Sequence, residues 1–277
     1  KPHLEELLRL KDAERANWPD GRAERQLAVL ELLARRQQEA SGWVRWADVH
    51  QQTGASTAVL RALLAKGLVE TRQEQVWRDP LAGMRFVPVA SPRLTPDQEL
   101  AWQAIADDLE HPQGRPFLLQ GVTGSGKTEL YLRAVERALA QGRSAIVLVP
   151  EIALTTQIIR RFGARFPDVL AVMHGALTPG QRYDQWRRIR VGELRVVIGA
   201  RSAILAPVQH LGVVVVDEEH EWTYKQDQQL PHYHAREAAI ERARLAGATA
   251  ILGSATPDLG SFYRAQRQEL HYLALPR

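Results

Sequence analysis

From residue 94 onward, short continuous apolar runs alternate with amphipathic stretches. The runs at 117–120, 145–149, 169–173, 195–198, 213–216 and 250–252 lack polar alternation, the pattern of parallel strands buried on both faces. Between them, 127–141, 152–166, 179–191 and 234–246 carry apolar residues at helical spacing. The alternation predicts an α/β domain whose mostly parallel sheet is covered on both sides. Upstream the rhythm differs. Helical spacing covers 24–38 through Leu27, Leu30 and Leu33, and a shorter helix fits 46–52. A third helix fits 57–66, with Ser56 as its N-cap and Gly67 as its terminator. Two strand-like pieces, 68–71 and 75–78, flank a polar turn. Three helices followed by a hairpin make a winged-helix pattern. Residues 1–20 read as a charged lead-in ending in the turn cluster Trp18-Pro19-Asp20-Gly21, and 80–93, with Pro80, Gly83, Pro88 and Pro92, as an extended linker. The expected organisation is a lead-in at 1–20, a winged helix at 21–79, a linker at 80–93 and an α/β lobe at 94–277.

The first candidate chemistry lies at the end of the 117–120 run. That run breaks at Gly121 into Val122-Thr123-Gly124-Ser125-Gly126-Lys127-Thr128, and a helix follows. Strand, Gly-x-x-x-x-Gly-Lys-Thr and helix together are the context in which this motif cradles phosphate. Gly121, Gly124 and Gly126 lack a Cβ, so the backbone can wrap close to an anion. Successive N–H groups along the loop, Thr123 and Ser125 included, and the helix N-terminus then face it. Lys127 supplies a point charge toward the β and γ phosphates, and the Thr128 hydroxyl is placed for Mg²⁺.

A second chemistry follows four valines, 213–216, at Asp217-Glu218-Glu219-His220. Ligands of open α/β sheets bind at that carboxyl edge. Asp217 is expected to hold Mg²⁺ through water, opposite Thr128, and Glu218 to orient and deprotonate an attacking water. The loop from Glu221 to His234 then spaces Trp222, Tyr224, His232, Tyr233 and His234 among Lys225, Gln226 and Gln228. Rings spaced by polar residues suit base stacking. Because the loop joins Glu218 through Glu219 and His220, a stacked base would be felt at the catalytic acid. The other reading is that Trp222 and Tyr224 pack the loop onto the lobe. In the upstream unit, helix 57–66 carries Arg61 and Lys66, which leaves open both a groove contact with DNA and a protein-contact or spacer role.

Composition narrows the classes. The chain has no cysteine, which excludes disulfides and cysteine-ligated zinc within it. No apolar run approaches the roughly 18–20 residues that span a membrane. The charged start lacks a signal-peptide core, so a cytoplasmic protein without membrane association is expected. The chain of 277 residues begins with Lys1, and a segment of a longer protein is expected. The net charge of +4 leaves room for a polyanionic partner without arguing for one.

Lys127-Thr128 with Asp217-Glu218-Glu219-His220 resembles the motif pair of the superfamily 2 helicases. The resemblance runs from Leu94 to Pro276 and, by layout only, over the winged helix. It is most specific toward the bacterial replication-restart helicases of the primosome, on Gly121 through Glu129, Pro150-Glu151-Ile152 and the aromatic-rich loop 217–236. The resemblance implies a RecA-like P-loop lobe, the first of two. It implies that Thr95-Pro96-Asp97-Gln98 sets Gln98 against adenine. Pro150, Glu151 and Thr155, then His174-Gly175, then Arg201 and Ser202 within 199–203, look like successive DNA-contact motifs, with Arg201 as a phosphate contact. Ser254-Ala255-Thr256 looks like the motif that couples DNA to ATP, with His220, Trp222, Tyr224 and Lys225 on the loop beside it. The implied cofactors are ATP and Mg²⁺; the zinc of the family sits in a cysteine module that this chain does not contain. The implied partners are forked and single-stranded DNA, other primosome proteins and single-strand-binding protein. The arginine finger of the family lies in a second lobe, so this chain alone is expected to bind nucleotide with little turnover. Two alternatives stay open: an RNA helicase or restriction-type translocase with the same motor, and a DNA-structure-binding loading scaffold with little hydrolysis.

Overall fold

A computed structural model describes residues 4–11, 17–19, 23–37, 42–88, 90–228 and 230–276. They divide into two compact units, one ending at Trp77 and one beginning at Arg78.

The first unit contains β1 (Leu4–Leu10), α1 (Glu24–Gln37), β2 (Val44–Arg45), α2 (Trp46–Thr53), α3 (Thr57–Ala65) and β3 (Val69–Gln75). The strands form an antiparallel sheet in the order β2-β1-β3. Leu8 and Leu10 alternate into a core with Val29, Leu30, Leu33, Val49, Leu60 and Leu63. The layout is compatible with the expected winged helix, with two differences. The stretch expected as a lead-in supplies the central strand. The hairpin expected from 68–71 and 75–78 is instead one strand, 69–75, which takes in the expected turn and pairs with β1 from Leu4↔Gln75 to Leu10↔Val69, while 76–78 lie outside any strand. With β1 as partner, the polar residues Arg72-Gln73-Glu74 continue the ladder instead of turning. Gly67 ends α3 as expected, at φ 70°, where a side chain would be strained. Ser56 precedes α3 in extended backbone, but its side chain makes no capping bond. Gln38 of the expected first helix, and Asp20 and Gly21 of the expected turn, lie outside the described residues.

The second unit is a seven-stranded parallel sheet covered by helices, as the apolar runs predicted. Its elements are α4 (Pro96–Glu110), β4 (Phe117–Gly121), α5 (Lys127–Ala140), β5 (Ser144–Leu148), α6 (Thr156–Arg165), β6 (Leu170–Met173) and α7 (Pro179–Arg190). They continue with β7 (Val196–Gly199), β8 (Leu211–Val216), β9 (Lys225–Gln226), β10 (Tyr233–His234), α8 (Ala235–Ala246), β11 (Thr249–Ser254), α9 (Leu259–Gln266) and β12 (His271–Leu275). The sheet order is β12-β4-β11-β8-β5-β7-β6, and β9 and β10 form a separate two-stranded ribbon. Alternate residues of each central strand face opposite layers. Leu119, Val147, Val215 and Ile251 join Ile105 of α4, Val135 of α5 and Phe162 of α6. Leu118, Ile146, Val214 and Leu252 join Ile189 of α7, Ala239 of α8 and Ala265 of α9.

Residues 78–94, most of them expected as a linker, carry side chains seated on this lobe. The Arg78 guanidinium and backbone N–H both donate to Asp184, a carboxylate with no exposed surface. Leu81 joins the core, and the Phe86 ring occupies the space that a Cβ at Gly163 would need. Val89 lies outside the described residues.

Candidate functional site

Strand register builds the site. β11 lies between β4 and β8, pairing Gly253 with Leu119 and Leu252 with Val216. The loops after the three strands therefore leave the sheet at one level: 121–127, 217–220 and 254–257. Gly124 (φ 83°) and Gly126 (φ 92°) hold backbone that a side chain would strain, and Gly126 opens α5. Lys127 is buried, and its Nζ donates to Gly121 O at 2.6 Å, across the loop. Ser125 Oγ is buried with no hydrogen-bond partner. A glycine-shaped cradle, a buried ammonium and an unspent hydroxyl fit a polyphosphate. Gln98 is held by a capping box on α4, and its Nε2 donates to Ser125 O at 2.9 Å, so its amide braces the phosphate loop itself.

Asp217 follows β8 and faces the loop. Its carboxyl lies above the usual carboxylate range, chiefly because burial disfavours the charge and secondly because Glu218 is near; Tyr131 and Lys127 oppose the shift. Tyr131 Oη donates to Asp217 Oδ1 at 3.0 Å, and Tyr224 Oη donates to the Asp217 carbonyl at 2.7 Å. Glu218 sits at φ 45°, in left-handed backbone that residues other than glycine rarely adopt, directly after Asp217. Glu219 is fully buried. It accepts from Arg236 Nη1 (2.8 Å), Ser261 Oγ (2.8 Å) and the Asp258 N–H (2.7 Å), which ties the acidic loop to α8 and α9. His220 Nδ1 and Ser254 Oγ are hydrogen bonded at 2.7 Å, and Ser254 Oγ also accepts from the Thr256 N–H.

A groove of about 390 Å³ opens beside this edge. It is lined by Pro150, Glu151, Gly175, Ala200, Arg201 and Ser202 together with residues 222–228. Three separate sequence motifs thus meet the aromatic-rich loop. Thr155, the exposed N-cap of α6, and His174, next to Gly175, flank the groove in sequence without lining it. The loop divides by burial. Trp222 is 79% exposed, whereas Tyr224 is 1% exposed, so a stacking role for the Tyr224 ring is corrected to a packing one. Arg201 donates from Nη1 to Thr223 O (3.2 Å) and Lys225 O (2.5 Å), so its guanidinium holds the loop rather than projecting free.

Sequence reasoning gave no role to Tyr131, Arg236 or Ser261, and gave Glu219 none beyond its place in the acidic motif and the link to the loop. Tyr131 carried one usable signal: it stands four residues after Lys127, on the same face of α5. The Glu219 network joins positions 17 and 42 residues apart, with no local pattern to mark it.

A family model for the DEAD/DEAH box helicases matches residues 95–263. The chain belongs to the DEAD/DEAH box helicase family. The helicase lobe and the unit before it are both covered by similarity to the replication restart protein PriA of Bacillus subtilis, 43% identical over 95% of this chain and 32% of that protein. PriA of a Synechocystis species is 40% identical over 91% of this chain and 30% of that protein. The chain thus spans about a third of the length of the curated relatives it matches. A solved structure of RecG bound to a three-way DNA junction is 28% identical over 68% of this chain and 24% of that one, with TM-score 0.49. Among the described residues, no helix is long and apolar enough to cross a membrane.

Proposed function

We propose that this chain is the first motor lobe, with a winged-helix unit, of a cytoplasmic ATP-driven DNA helicase that acts in replication restart. The observation that carries the reading is the meeting of Pro150, Glu151, Gly175, Arg201 and Ser202 with the 222–228 loop in one groove, on the sheet edge that also holds Lys127 and Asp217. Kinship with PriA supports DNA, forked or single-stranded, as the polymer. Other primosome proteins and single-strand-binding protein are the partners this kinship suggests.

ATP with Mg²⁺ would supply the phosphoryl transfer that drives movement. Gly121, Thr123, Gly124, Ser125 and Gly126 would enclose its phosphates, Lys127 would move its ammonium from Gly121 O toward their charge, and Thr128 and Asp217 would hold the metal. Glu218 would orient the attacking water and take its proton. Gln98 would stiffen the loop from its bond to Ser125 O. His220, Ser254 and Thr256 would relay the state of the acidic loop, and Trp222 with Lys225 would meet the strand in the groove. Turnover would need an arginine from a second lobe, which is worth roughly 10³–10⁵ in rate, so this chain alone should hydrolyse negligibly.

The test is ATP hydrolysis by the full-length protein with single-stranded DNA, with RNA and with neither. DNA-selective stimulation that disappears in Glu218→Gln is expected. Equal stimulation by RNA would move the reading to an RNA translocase. Tight DNA binding without turnover would move it to a loading scaffold.

A further inference from the structure

The exposed face of α7 carries chemistry that the site above does not use. At 100° per residue, Arg182, Tyr183, Trp186, Arg187 and Arg190 fall within one arc of about 140°. The arc also takes in Pro179 in the first turn; the other five are all arginine or aromatic. The only carboxylate of the helix, Asp184, is buried on the inner face and paired with Arg78. Tyr183 is 40% and Trp186 38% exposed, high for large rings. Arg187 lies 5.9 Å from the Tyr183 ring centroid and Arg190 5.3 Å from that of Trp186, both within cation–π range.

The stripe is continuous with the groove. Arg182 Nη2 donates to Gly175 O at 3.4 Å, and Gly175 lines the groove. Trp186 follows four residues later and Arg190 four after that, so the cationic and aromatic positions repeat at about 6 Å along the helix. Positive charge, π faces and regular spacing, with no carboxylate among the five, complement a polyanion with unpaired bases. They do not complement an acidic protein surface as well, because the two rings at the centre would then meet charge instead of an apolar or π partner.

We propose that α7 is a second nucleic-acid subsite, an outboard track on which single-stranded DNA continues after leaving the groove. Tyr183 and Trp186, with the guanidinium planes over them, take bases, and Arg182 and Arg190 take phosphates. This rests on the DNA reading of the groove and extends it.

The experiment measures binding of fluorescent oligothymidylates to this 277-residue chain, using a short probe of about 4 nucleotides and a long one of about 16. In Tyr183→Ala with Trp186→Ala, the long probe should weaken about tenfold or more while the short probe is unchanged. The rings are half-buried, so a second variant guards against misfolding: Arg182→Gln with Arg190→Gln, both exposed in the native chain. It should lower the slope of log affinity against log salt for the long probe by about 0.7 for each phosphate no longer neutralised. Trp186→Phe should restore most of the binding that Trp186→Ala removes. Unchanged affinity and salt slope for the long probe, in folded variants, overturns the proposal and leaves α7 as a face for protein contact. Equal losses for both probes also overturn it, because the rings would then act through the groove. If neither probe binds the wild-type chain, the groove reading falls together with it.

Discussion

Tyr131 and Asp217, 86 residues apart, are joined by a 3.0 Å hydrogen bond from a phenol that is 1% exposed. The strand between them permits it: Gly253 lies so close to the Tyr131 hydroxyl that a Cβ there would collide with it. The helix of the phosphate loop, the acid after β8 and the strand leading to Ser254 thereby meet at one phenol.

Asp217→Asn should stabilise the free protein. Burial and Glu218 hold the folded-state pKa of Asp217 above its unfolded value. The folded state therefore retains more protons, and wild-type stability falls as pH rises from the ordinary carboxylate range through the raised pKa. Asparagine has no such loss. Urea midpoints should coincide in acid, separate across that window and stay apart at neutral pH, with the variant higher. Tyr131→Phe should move stability the other way, by about 1–3 kcal/mol at neutral pH, because it strips a partner from a buried carboxylate. A lower midpoint for Asp217→Asn at neutral pH would contradict the account.

Lys127→Ala should weaken Mg-nucleotide binding to this chain by about 1.5–3 kcal/mol, the size of a charge-assisted bond. Calorimetry with Mg-ADP reads it directly, and equal affinities would remove Lys127 from the phosphate site.

Glu219→Ala should cost about 3 kcal/mol, the lower end of the range for breaking a buried pair. The lower end applies because Arg236 keeps Asp258 at 3.2 Å and Glu237 at 3.0 Å. Chemical denaturation measures the effect. A change below about 1 kcal/mol, typical of a surface pair, would mean that the carboxylate does not hold the loop.

Trp222 and Tyr224, two residues apart, should separate completely under mutation. Trp222→Ala should leave stability within about 0.5 kcal/mol and weaken single-stranded DNA binding by about 1–3 kcal/mol. Tyr224→Ala should destabilise by about 3–5 kcal/mol, as truncation of a buried aromatic does. Thermal melts paired with anisotropy titrations on each variant distinguish the two, and a marked drop in stability in Trp222→Ala would refute the assignment.

Local pattern made much of the lobe legible. Apolar runs such as 213–216, short and wholly β-branched, read as strands buried on both faces, and the Gly-Lys-Thr loop announces itself through spacing. What stayed hidden was set by distant partners. β3 reads as two pieces around a turn until β1 pairs with it. Tyr224 and Trp222 look alike in sequence, and only the depth of the loop tells them apart. Arg201 belongs to a motif that suggested phosphate, but its geometry is set by carbonyls 22 and 24 residues away. β12, whose half-buried alternation differs from the central runs, was invisible as an edge strand.

The seating of Arg78 on Asp184 and of Phe86 against Gly163 fixes where the motor can be cut. A version begun at Thr95, where the recognisable motifs start, would strip the guanidinium from a carboxylate that has no exposed surface. It would also uncover the bare helix backbone at Gly163. Such a truncation should be less soluble than one begun at Arg78, even with every nucleotide-binding residue present. Chimeras that exchange the first unit for another should therefore be spliced upstream of Arg78.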